Sequence, residues 1–310
     1  MGLLSKITTT LAVATTTGFS LIGTPTQAFT ITQNNSGQDL LNALLGDTTG
    51  LSGFSITPTG DARAFGLVQN DPFGLKSNQL PGVVLSTGIV ETIPGVNQYS
   101  NTSHLPQLMG DVSYDFYPDY APGDPRGEEG DSITLDISFY ADDTVENLFF
   151  EYVFASEEFP EFGGQAFNDI FELWLNGVNL AKLSDGQTVS INNLVPNPQG
   201  SYHPDYIDNP AGPNTVTKLD GYTKVLGFEG KLRKNDRNTL TIKVADTGDG
   251  RFDSAVFIQG RSLRTKAQQS ETPQVKDVPE PGVLLGLFGI GIWGVTSQFK
   301  RDRKAQSSRE

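Results

Sequence analysis

Residues 133–139 alternate without a break: Ile133, Leu135, Ile137 and Phe139 are apolar, and Thr134, Asp136 and Ser138 are polar. A side-chain period of two suits a strand with one face buried and one wet, because successive Cβ atoms point to opposite faces of a sheet. Leu240, Ile242 and Val244 repeat the pattern around Thr241 and Lys243. Further runs suited to strands lie at 83–90, 147–155, 188–191 and 254–263. Asn176-Gly177 separates the runs 169–175 and 178–183. That pair is the strongest local hairpin signal in the chain, since both turn positions need positive φ. One short amphipathic helix is predicted, Gln38 to Leu45, capped by Ser36 and apolar at Leu40, Leu41, Leu44 and Leu45. Short strands, Gly, Pro and Asn turns and a single helix predict an all-β fold, an antiparallel β-sandwich that is jelly-roll-like.

Two segments, 97–130 and 194–220, lack periodicity and are rich in Pro, Asn, Gly, Tyr and Asp. Loops of that length in a compact domain are usually functional. Composition then removes most chemistries. With no Cys there is no disulfide, thiol nucleophile or Cys-ligated zinc. Two histidines, His104 and His203, leave no room for a multi-His metal centre, and both sit in loop contexts. No Gly-x-Ser-x-Gly elbow is present, so serine hydrolysis has no support. The net charge of −14 argues against nucleic acid, which needs clustered basic groups.

The two ends read as addresses. Residues 1–28 carry one charge, Lys6, then an apolar run and the small-residue stretch Thr26-Gln27-Ala28. This is the layout of a secretory signal cut by signal peptidase between Ala28 and Phe29. At the other end, Pro279-Glu280-Pro281 precedes an apolar run over about 282–299, and Lys300, Arg301, Arg303 and Lys304 follow it. A helix over 283–299 would be roughly 26 Å long, at the short limit for crossing a bilayer. Basic residues after it would keep the tail cytoplasmic. The expected organisation is a signal peptide at 1–28, a β-sandwich at 29–264, a flexible linker at 265–277, a sorting segment at 278–304 and a polar tail at 305–310. Between the two addresses, residues 29–299 hold 16 basic against 34 acidic residues, a net charge of −18.

Residues 278–304 resemble the PEP-CTERM sorting signal of diderm bacteria, which has a Pro-Glu-Pro motif, a short apolar span and a basic cluster in that order. The resemblance implies recognition by an exosortase-type enzyme, transient anchoring in the inner membrane, and delivery to the cell surface or beyond.

Acidic residues gather in two stretches of the middle. Glu157-Glu158 follows a very apolar run, with Asn168-Asp169 shortly after it. Asp246, Asp249 and Asp253 surround a glycine turn. Carboxylate and amide oxygens at such spacings suit a hard cation, which takes six to eight oxygens. Glu157, Glu158, Asn168, Asp169, Asp246, Asp249 and Asp253 are therefore the candidate Ca²⁺ ligands, and their other role is to cap turns. Loop tyrosines could stack on sugar rings, and Tyr117 and Tyr206 are the candidates for polysaccharide binding. No catalytic residue is assigned.

Several stretches resemble the choice-of-anchor L domain, a module of exported bacterial proteins with varied C-terminal sorting signals. They are Val84-Leu85-Ser86-Thr87-Gly88, 150–159 with Phe167-Asn168-Asp169, Ser190-Ile191-Asn192-Asn193, Asp220-Gly221-Tyr222-Thr223, and 246–258. The matches spread over about 37–263. The resemblance implies architecture and address and assigns neither activity nor ligand. Together these features predict a non-enzymatic surface or extracellular-matrix protein that binds polysaccharide or matrix with Ca²⁺ assistance. A purely structural surface-layer module is the second reading. A glycoside hydrolase using a Glu/Asp pair is the third.

Overall fold

Both alternating segments lie next to each other in one sheet. The computed structural model describes residues 28–75, 80–98, 131–248, 250 and 252–267. In chain order its elements are β1 (Thr30–Gln33), α1 (Gly37–Leu44), β2 (Leu51–Thr59), β3 (Phe65–Gln69), β4 (Gly82–Ser86), β5 (Ser132–Ala141), β6 (Asn147–Ser156), β7 (Ile170–Leu175) and β8 (Val178–Asn179). Then follow α2 (Ile191–Leu194), β9 (Tyr206–Asp208), β10 (Gly221–Thr223), β11 (Leu226–Lys231), β12 (Asp236–Ala245) and β13 (Ser254–Ile258).

All pairings between these strands are antiparallel. The smaller sheet runs β2-β5-β12-β7-β8. The larger runs β1-β3-β4-β13-β6-β10-β9, with β11 also paired to β6. Leu135, Ile137, Leu240 and Ile242 of the first sheet and Leu85, Phe150, Phe154 and Val256 of the second share one core. That is the expected antiparallel sandwich. Leu40, Leu41 and Leu44 of α1 enter the same core, and the Ser36 hydroxyl caps the helix by accepting from the Asp39 N–H at 3.4 Å.

The two sheets differ in what covers their outer faces. β4 and β13 are buried at every residue. Their second face carries Val84, Ala255 and Phe257, which pack under Phe73, Leu75, Ile93 and Leu219 as a second apolar cluster. The small sheet has no such cover in its alternating strand β5, whose residues alternate between buried and wet, as the sequence predicts. Its outermost strand β2 has an irregular register between Ser52 and Ser55 and carries Pro58.

Some expected elements differ. The Asn176-Gly177 turn forms, with φ of 52° and 87°, but its second strand stops at Asn179. The Asn179 side chain there accepts from the Leu173 and Ala181 N–H groups and ends the ladder. Residues 188–191 are not a strand: Ser190 instead caps α2, accepting from the Asn193 N–H at 3.3 Å. A second helix therefore exists. The predicted linker begins tied down, because Lys266 Nζ lies 2.8 Å from Asp47 Oδ2 and the Thr265 N–H donates to the Asp47 carbonyl. Among the described residues no helix is long and apolar enough to cross a membrane. The predicted signal peptide short of Ala28 and the span at 282–299 lie outside them, as do Pro279, Glu280, Pro281, Lys300, Arg301, Arg303 and Lys304.

Candidate functional site

In the small sheet the period of two continues past the strand ends. β12 turns Leu240, Ile242 and Val244 into the core, so the next inward position is Asp246. On β5 the residue two before inward Ile133 is Asp131, and on β7 the residue two before inward Phe171 is Asp169. Ala245 is level with both Ser132 and Ile170, so the next row is Asp131, Asp246, Asp169. The Asp246 N–H donates to the Asp131 carbonyl at 2.9 Å, which continues the ladder by one rung. Each of the three side chains is 1% exposed.

The larger sheet meets this row from across the sandwich. Ser254 is level with Ser156, and Ala255 with Ser86, so Asp253, Glu157 and Thr87 end three neighbouring strands. The Glu157 N–H donates to the Asp253 carbonyl at 3.1 Å, and Ser254 and Thr87 are tied by two bonds of 2.9 Å. The Ser254 hydroxyl joins the two sheets, donating to Asp169 Oδ2 at 2.7 Å, while Asp169 Oδ1 accepts from the Thr247 N–H at 2.9 Å. Asp253 is fully buried, and its carboxylate fills the space where a side chain on Gly88 would stand.

Burial pushes the Asp246 carboxyl well above the usual carboxylate range. The charges of Asp169, Asp253 and Asp131 push it further, and the Thr87 hydroxyl opposes them. Neither Asp246 oxygen has a donor in hydrogen-bonding geometry. The Thr87 hydroxyl lies near Asp246 and also 3.3 Å from the Ser254 carbonyl, and its single proton serves one of them at a time. Among the described residues no three His, Asp or Glu side chains already close around a point that would hold a metal ion.

The structure thus brings Asp169, Asp246 and Asp253 together, with Glu157 adjoining them. Glu158 is also buried at the end of β6, where its N–H donates to the Ser156 hydroxyl at 2.9 Å. Asn168 is engaged elsewhere: its side-chain oxygen accepts from the Asn192 N–H at 2.8 Å and clamps α2. Asp249 and Tyr117 lie outside the described residues. Asp131 and the two hydroxyls, Thr87 and Ser254, were not singled out by the sequence. The signal for Asp131 is its place two residues before the alternating run, readable only once β5 is paired with β12.

Tyr206, the other stacking candidate, lies on β9. It is 9% exposed, packs against Phe159 and Tyr202, and its hydroxyl lies 3.1 Å from Asp208 Oδ1. Glu157 and Glu158 are 3% and 1% exposed. Large exposed rings do exist on the open face of the small sheet: Tyr140 on β5 and Trp174 on β7, 37% and 36% exposed. Successive rows of that face read Thr59, Thr134, Lys243, Glu172; then Thr57, Asp136, Thr241, Trp174; then Ser55, Ser138, Thr239.

A family model described as the Choice-of-anchor L domain matches residues 29–264. A solved structure titled "Structure of a family 35 carbohydrate binding module from an environmental isolate" is 12% identical, covering 59% of this chain and 98% of its own. Its TM-score of 0.22 is too low to bear on fold or ligand. No curated protein matches.

Proposed function

Because the chain belongs to the choice-of-anchor L domain family over residues 29–264, and so to exported surface proteins, we propose that it is a non-catalytic module that binds surface or matrix polysaccharide. The open face of β2-β5-β12-β7-β8 supports this reading. Sugars are recognised by flat aromatic rings and by hydroxyl groups that exchange hydrogen bonds with them, and this face supplies both. Tyr140 is level with Arg237 and Trp174 with Thr241, four residues apart along β12 and two strands apart across it. At about 3.4 Å per residue and 4.8 Å per strand the two rings stand about 17 Å apart, a span for an extended polymer rather than a single sugar. Between them lie hydroxyls of Ser138, Thr239 and Thr241.

Charge points the same way. Residues 29–299 carry −18, yet in these rows Asp136 and Glu172 are balanced by Lys243 and Arg237. Lys243 lies 3.5 Å from Glu172. An uncharged polymer is the partner such a face suits, since the rest of the surface repels polyanions.

The ends give the proposed route to that surface: signal peptidase at Ala28-Phe29, then an exosortase-type enzyme acting at Pro279-Glu280-Pro281. Glycan-array and polysaccharide pull-down measurements on the full chain test the binding. Trp174→Ala and Tyr140→Ala should each weaken it about tenfold, ~1.4 kcal/mol, while the melting temperature holds. Wild-type protein that retains no polysaccharide would leave the purely structural surface-layer role in its place.

A further inference from the structure

We propose that Asp131, Asp169, Asp246 and Asp253 bind one hard divalent cation of the Ca²⁺ class at the end of the sandwich. The inference is independent of the sheet-face reading. Four chain segments converge there: the starts of β5, β7 and β13 and the end of β12. The Asp246 N–H to Asp131 carbonyl bond, the Thr247 N–H to Asp169 Oδ1 bond and the Ser254 hydroxyl to Asp169 Oδ2 bond fix their juxtaposition at 2.9, 2.9 and 2.7 Å.

An acidic cluster alone says little, since carboxylates often cap turns. Asp246 is different: it is 1% exposed, faces inward between Asp131 and Asp169, and neither of its oxygens has a donor in good hydrogen-bonding geometry. A buried carboxylate normally keeps donors around it. Here its neighbours are further carboxylates, and the Thr87 hydroxyl beside it has a single proton for which the Ser254 carbonyl, 3.3 Å away, competes. Oxygen-only donors select a hard cation, and Ca²⁺ accepts irregular, flexible sets of six to eight oxygens. No three of these groups already close on a point. Closing them on one point takes a divalent ion, whose charge offsets the repulsion among ionised carboxylates. Gly88 leaves room for the Asp253 carboxylate, which any side chain there would displace.

The competing arrangement is a set of protons shared among the carboxylates with no metal at all. Calorimetric titration of the chelator-stripped full chain with CaCl₂, paired with melting curves, separates the two. The expected result is one Ca²⁺ per chain with a raised melting temperature. Asp246→Asn should weaken binding at least 100-fold, yet melt no lower than wild type when both are metal-free. Asp136→Asn, on the open face, should bind as wild type does. If Asp246→Asn does not fold, Asp131→Asn is read by the same criteria. No heat and no melting shift in wild type, or wild-type affinity retained in the Asp246 and Asp131 variants, overturns the proposal. Polysaccharide binding, measured separately, stands or falls without it.

Discussion

Glu161 shows what one carboxyl can do to stability when burial outruns hydrogen bonding. No other residue gives its oxygens a donor in good hydrogen-bonding geometry; burial, aided by the charge of Asp208, holds its carboxyl above the ordinary value of 4.5 against the lowering effect of its own backbone N–H. A group whose folded value is raised favours the fold while protonated. Its contribution is fully present below about pH 4.5 and is lost as pH climbs through the raised value. Glu161→Gln keeps the neutral form at every pH, so its melting temperature should match wild type in acid and exceed it at pH 7. A melting difference that does not change with pH would contradict this. Other residues were only partly legible. The aspartates around the glycine turn declared their chemistry in the sequence, but their neighbours did not. Asp131 lies more than a hundred residues from Asp246, and only strand register makes them adjacent. Tyr206 stands in a polar stretch of the sequence, and only the fold shows Phe159 and Tyr202 packed against it.

At the scale of elements, legibility followed the pattern of burial. β5 and β12 have one wet face and one dry, so their alternation was plain. β2 was missed because Gly53 and Pro58 interrupt it, and β11 because Gly227 and Gly230 dilute its apolar positions. β1, β9 and β10 have three or four residues each, too few for a period to show. The β7–β8 hairpin was legible from two residues, since Asn176 and Gly177 take left-handed φ values that other pairs resist. Gly177→Ala should cost about 1–2 kcal/mol, because a Cβ opposes that conformation. Urea unfolding would check it, with unchanged slope and a lower midpoint. Asn176 does more than turn: its side chain donates to Asn238 Oδ1 at 2.7 Å and accepts from the Thr239 N–H at 3.1 Å. The hairpin is thereby stitched to β12.

For the whole molecule the asymmetry of the two sheets matters most. The central strands β4 and β13 of the larger sheet are dry on both sides. Phe257 is fully buried in the cluster on its far side, against Phe73 at a ring separation of 4.4 Å. With no cysteine to cross-link the chain, that second apolar layer stabilises the fold alongside the main core. Phe257→Ala should cost about 3–5 kcal/mol, comparable with a deletion in the main core; a cost below about 1 kcal/mol would show the layer to be dispensable. The small sheet keeps one face in water and ends in β2, whose register slips between Ser52 and Ser55 and whose Pro58 has no N–H to give. A strand from a second molecule would find its ladder broken twice within nine residues. Copies packed densely on a cell exterior can thus touch along that rim without zipping into fibres.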